Sequence, residues 1–89
     1  MVHVNIRVSG KVQGVNYRYS AKGKALELQL TGFVRNEPDG TVYLEAEGAV
    51  EQVEKLKGWC KLGPPRAQVT QIVTHESEIR GFEGFEILR

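Results

Sequence analysis

Val2-His3-Val4-Asn5-Ile6-Arg7-Val8-Ser9, then Gly10-Lys11-Val12-Gln13-Gly14-Val15-Asn16, then the run from Tyr17 to Leu30 form a stretch whose hydrophobic period changes midway. Val2, Val4, Ile6 and Val8 recur at every second residue, the pattern of a strand with one buried face. Gly10 to Gly14 break that alternation. From Tyr17 the spacing lengthens: Tyr17, Ala21, Ala25 and Leu28 fall on one helical face, flanked by Leu26 and Leu30. Gly23 weakens this helix by up to ~1 kcal/mol if it is interior, and Gly32 is expected to close it.

Working outward, Phe33-Val34-Arg35-Asn36 reads as a short strand and Glu37-Pro38-Asp39-Gly40 as a tight turn. Val42, Leu44 and Ala46 alternate with Tyr43, Glu45 and Glu47, which completes a hairpin. Val50, Val53, Leu56 and Cys60 define a second amphipathic helix, with Trp59 beside that face and Gly63-Pro64-Pro65 as its stop. Strand-like residues run from Ala67 to about Thr74, and Phe85-Glu86-Ile87 follows the glycines Gly81 and Gly84. The order is β-α-β-β-α-β plus a C-terminal strand whose pairing the pattern leaves open. It predicts an α+β fold, a ferredoxin-like βαββαβ two-layer sandwich: an antiparallel sheet of four or five strands with two helices on one face.

At 89 residues the chain is expected to be one domain, residues 1–89. Twelve Lys and Arg against eleven Asp and Glu leave a net charge of +1, so no bulk field draws it to nucleic acid or membrane. Any anion site must be local. A single cysteine, Cys60, excludes an internal disulfide framework and fits a reducing compartment. Met1 to Asn5 carry no basic leader and no long apolar run follows, so the cytoplasm is the expected location. Enzymes, RNA binders and regulatory modules all use this fold, so function has to be argued from a site.

Gly10 to Arg18 is the informative junction. Two glycines four apart allow several backbone N–H groups to point into one concavity. The loop leads into a helix N-terminus, whose free N–H groups and positive dipole end favour an anion. Arg18 sits in the first turn, where a cation opposes the helix dipole. A bound phosphate would resolve that conflict through two parallel hydrogen bonds to the guanidinium; the alternative is a tight connection with a solvated arginine. A strand–helix–strand crossover also returns the chain in its original direction, bringing the end of the second strand to the loop's edge. Asn36 stands there. Its amide suits holding a water molecule, or it merely shapes the turn.

Gly10-Lys11-Val12-Gln13-Gly14-Val15-Asn16-Tyr17-Arg18 resembles the loop signature of the acylphosphatase family. Gly32-Phe33-Val34-Arg35-Asn36, followed by Pro38-Asp39-Gly40, is similar to the family's second signature. Their spacing fits, as does Gly63-Pro64-Pro65, and the resemblance spans essentially the whole chain. It implies hydrolysis of the carboxyl–phosphate anhydride of small acyl phosphates. Arg18 and the backbone N–H groups of Gly14, Val15, Asn16, Tyr17 and Arg18 would bind phosphate, and Asn36 would position the attacking water. No cluster of His, Cys or carboxylates has ligand spacing, so no metal or cofactor is expected; a cradle that recognises the phosphoryl group should be inhibited competitively by inorganic phosphate, and a monomer is expected. Asn16 occupies a variable loop position. Glu37 stands where a neutral residue is expected; it either repels an anionic substrate or points away.

Such a small set of groups matches the chemistry. A carboxylate leaves without a general acid, so the remaining demand is to orient water and neutralise phosphoryl charge. Other motifs are set aside. Cys60 to Arg66 formally spells C-x5-R, but Cys60 lies near a helix C-terminus and Pro64 and Pro65 remove two donors. His75-Glu76 lacks a second histidine at Ile79, and His3 is a lone strand histidine. Gly81-Phe82-Glu83-Gly84 reads as a turn. Trp59, Phe33, Phe82 and Phe85 read as core or near-core, and Tyr43 as a residue of the open sheet face.

Overall fold

The alternation in residues 2–8 becomes β1, Val2–Lys11, and the longer spacing becomes α1, Tyr17–Glu27, in a computed structural model that describes Met1–Arg89. Then come β2 (Thr31–Asn36), β3 (Val42–Gly48), α2 (Val50–Leu62), β4 (Gln68–Ser77) and β5 (Phe85–Leu88). The sheet order is β4-β1-β3-β2-β5. Four strands pair antiparallel, in the registers Val8↔Val42 and Asn36↔Val42. The fifth pairing, open in the sequence, is parallel: β5 lies along β2 with Val34↔Ile87, so the sheet is mixed.

Both helices cover one face, α1 over β2 and β5 and α2 over β1 and β4. Val4, Ile6, Val8, Val34, Leu44 and Ala46 meet Tyr17, Ala21, Ala25, Val53, Leu56 and Cys60 there, all buried. Two boundary readings are corrected. Gly32 does not close α1: Leu28 caps the helix, Gln29 takes the left-handed turn at φ 60°, and Gly32 already belongs to β2. Gly32 (φ 147°) passes so close to the Glu45 carbonyl that a Cβ would collide with it. Val50 opens α2 and is half-exposed, outside the apolar face that Val53, Leu56 and Cys60 do form.

On the opposite sheet face, alternation makes Glu45 and Glu47 outward residues, yet both are buried. The connection between β4 and β5 folds back over them. Its Arg80, Gly81 and Phe82 N–H groups donate to the Glu47 carboxylate. Phe82 stacks on His3 at 5.6 Å, and the His3 ring lies 2.8 Å from a carboxylate oxygen of both Glu45 and Glu47. Burial pushes the Glu47 carboxyl up, but the Arg80 N–H, the His3 ring and the next two N–H groups outweigh it, bringing its pKa down to about 2. A depressed carboxyl stabilises fully above its ordinary value of 4.5, and that contribution is lost as pH falls toward about 2. Glu47→Gln is therefore expected to destabilise at neutral pH by roughly 1–3 kcal/mol and to flatten the acid limb between those values. Denaturant midpoints measured against pH check this; parallel acid limbs for the two proteins would refute it.

Candidate active site

β1 and β2 both run antiparallel to β3, so their C-terminal ends lie at the same sheet edge, and β5, parallel to β2, ends there too. The loop after β1 is shaped by two left-handed residues. Gly14 (φ 74°) has no atom near its absent side chain, so its backbone conformation is what requires glycine. Asn16 (φ 68°), of a type that tolerates this region, is the N-cap of α1 without a side-chain capping bond. The Asn16 carbonyl accepts the Ser20 N–H at 3.2 Å, so the N–H groups of Tyr17, Arg18 and Tyr19 precede the first intrahelical bond. No acidic residue occupies the first turn. The helix end keeps its donors and its positive dipole uncompensated.

A cleft of about 270 Å³ opens above this helix end, lined by Gly14, Asn16, Tyr17, Arg18 and Asn36 together with Val12, Tyr19, Ile87 and Arg89. Five of the six residues expected at a site thus surround one space. Val15 is the exception: its side chain is buried in the core and does not line the cleft, so its expected role rests on its backbone N–H alone. Arg7 and Arg35 are committed to Glu37 and Asp39, whereas Arg18 takes part in no ion pair. Glu37 lies away from the cleft: Arg35 Nε donates to it at 2.9 Å and Arg7 approaches at 3.5 Å. Its charge is balanced on the far face of the sheet.

Tyr17 fastens the cradle to the rest of the fold. Its ring is buried against Trp59 at 5.2 Å and its hydroxyl donates to the Cys60 carbonyl at 2.8 Å. Burial, with Cys60 alongside, holds that phenol well above its ordinary range. Burial also pushes the Cys60 thiol up to about 12, against a lesser lowering by Tyr17. A protonated thiol in the core, outside the cleft, is no nucleophile. No three side chains among His, Cys, Asp and Glu converge with metal-holding geometry.

Ile87 and Arg89 escaped sequence reasoning. Their signal was the parallel alignment of β5 with β2, which brings Arg89 to the edge where Asn36 sits. A second depression, about 330 Å³ and lined by Asn5, Arg7, Tyr43, Val73 and His75, lies on the outer sheet face. It is the roomier of the two, but its arginine already serves Glu37 and Asp39. The cleft with the uncommitted arginine and the free helix N–H groups is the better anion site.

The acylphosphatase family model matches residues 4–87. The chain is 52% identical to an acylphosphatase of Methylococcus capsulatus, covering 100% of this chain and 98% of that one. It is 54% identical to an acylphosphatase of Acaryochloris marina, over 92% and 88% of the two chains. Among solved structures, the acylphosphatase of Bacillus subtilis superposes with a TM-score of 0.98 at 36% identity, covering both chains in full.

Proposed function

The chain belongs to the acylphosphatase family, enzymes that hydrolyse acyl phosphates, and on that premise we propose how its cleft divides the work. Arg18 and the backbone N–H groups from Gly14 to Arg18 hold the phosphoryl group, and Asn36 orients the attacking water. The observation that carries this reading is the single cleft shared by the helix N-terminus, an uncommitted arginine and an asparagine.

Water oxygen bonds to phosphorus as the phosphorus–acyl oxygen bond breaks, and the carboxylate departs with the electron pair. The water proton passes to a phosphoryl oxygen, since no Asp, Glu or His side chain lines the cleft to accept it. Charge spreading over the phosphoryl oxygens meets donors already in place, which is where the barrier falls. The partner is a small acyl phosphate, and the enzyme acts as a cytoplasmic monomer, one domain over residues 1–89, without metal or cofactor. A net charge of +1 fits a small-molecule partner better than nucleic acid or a membrane surface. No helix is long and apolar enough to cross a membrane.

Phosphate release from benzoyl phosphate is expected to survive exhaustive chelation, to exceed release from an alkyl phosphate ester by orders of magnitude, and to be inhibited competitively by inorganic phosphate. Alkoxide leaving groups need a proton that this cleft does not provide. Activity lost on chelation and restored by zinc or magnesium, or a purely uncompetitive phosphate pattern, would overturn the scheme.

A further inference from the structure

We propose that Gln13 is a positioning residue: its amide locks the phosphate loop onto the turn that carries Asn36 and so sets the distance between bound phosphoryl group and attacking water. The inference rests on the roles given above to Arg18 and Asn36. Gln13 Nε2 donates to the Glu37 carbonyl at 2.9 Å and to the Thr41 carbonyl at 2.9 Å. Those two carbonyls already close the turn between β2 and β3. Thr41 O accepts the Glu37 N–H at 2.9 Å, and Glu37 O accepts the Gly40 N–H at 3.1 Å. A carbonyl has two lone pairs and a primary amide two hydrogens, so Gln13 fills the remaining site on each acceptor with nothing left over.

The placement makes this bond pair more than surface decoration. Pairing of β1 with β3 ends at Val8↔Val42, while β1 continues beside β4 as far as Lys11↔Gln68. Beyond Val8 the loop has left the β3 ladder, and no backbone hydrogen bond outside the helices and strands joins residues 12–16 to residues 37–41. Gln13 bridges that gap. It precedes Gly14, the first cradle residue, and its acceptor Glu37 directly follows Asn36. One side chain therefore ties together two segments that must agree to well under 1 Å, a misplacement that costs about a hundredfold in rate.

A positioning role predicts a particular split in the kinetics. Gln13→Ala, confirmed folded by circular dichroism, should lower kcat roughly ten- to a hundredfold while inorganic phosphate affinity, read by calorimetry, stays within about threefold. Arg18 and the cradle N–H groups lie on one side of the broken tie, so phosphate keeps its own partners. Gln13→Glu should be at least as damaging, because a carboxylate of the same length presents lone pairs to two carbonyls. Gln13→Met, which keeps the bulk without the donors, replaces the alanine variant should that one fail to fold. The deciding comparison is a double-mutant cycle with Asn36→Ala. Once the water-holding amide is gone its alignment is immaterial, so adding Gln13→Ala should change kcat less than about threefold. Equal kcat losses in both backgrounds, parental kcat in folded Gln13→Ala, or phosphate affinity falling in step with kcat would each overturn the proposal. Asn36→Ala with parental kcat would instead sink the reading on which it rests.

Discussion

Arg18→Ala is expected to lose phosphate binding and turnover together. Arg18 faces the cleft without an ion-pair partner, so a phosphoryl group meets its guanidinium before and during reaction. Removing a charge-assisted, two-pronged contact should weaken phosphate affinity at least tenfold and lower kcat/KM by two to three orders of magnitude, about 3–4 kcal/mol. Arg18→Lys should not restore activity, because an ammonium cannot reproduce the planar pair of donors. Calorimetric phosphate titration beside steady-state kinetics measures both quantities. Lysine rescue to near-parental rates would mean that only a positive charge is needed.

Asn36→Ala is expected to separate what Arg18→Ala joins. Asn36 ends β2 at the cleft edge, and its amide can accept one hydrogen bond from water while donating to another oxygen. Its proposed partner is the water, so phosphate affinity should stay within about threefold while kcat falls by two to three orders of magnitude. Loss of phosphate binding with kcat spared at saturating substrate would assign Asn36 to substrate binding instead.

Much of this arrangement is legible in residue order because it depends on local rules. The period of two in Val2 to Val8 and the spacing of Tyr17, Ala21, Ala25 and Leu28 each mark a buried face, and each of these helical residues is buried. Asn36 is placed by topology alone, since a crossover fixes strand direction. The remainder depends on contacts between distant segments. Phe85 to Leu88 is too short for its own pattern to choose a partner, so the parallel pairing, and Arg89 in the cleft with it, appears only in three dimensions.

Glu45 and Glu47 teach the same lesson from the other face. Their alternation with Leu44 and Ala46 is that of a solvated face, and nothing local announces that three N–H groups from residues 80–82 will close on Glu47 while Phe82 stacks on the His3 ring that both carboxylates meet. Glu37 carried an ambiguity that spacing could not resolve. Arg7, thirty residues earlier and about 100 Å away along a fully extended chain, is brought beside it by the pairing of β1 and β2 with β3 and turns its charge from the cleft. Gln13 is similar: its meaning lies in two carbonyls 24 and 28 residues further on.

The cradle itself is open to one direct measurement: backbone amide shifts during titration with inorganic phosphate, observed by nuclear magnetic resonance on the uniformly labelled protein. The account predicts that the amides of Gly14 to Arg18 move along one saturable curve, with a Kd matching the competitive inhibition constant, and that Arg18→Ala abolishes the saturation. Unmoved loop amides, with a saturable response instead around Asn5, Arg7, Tyr43 and His75, would place phosphate on the opposite face of the sheet and contradict it.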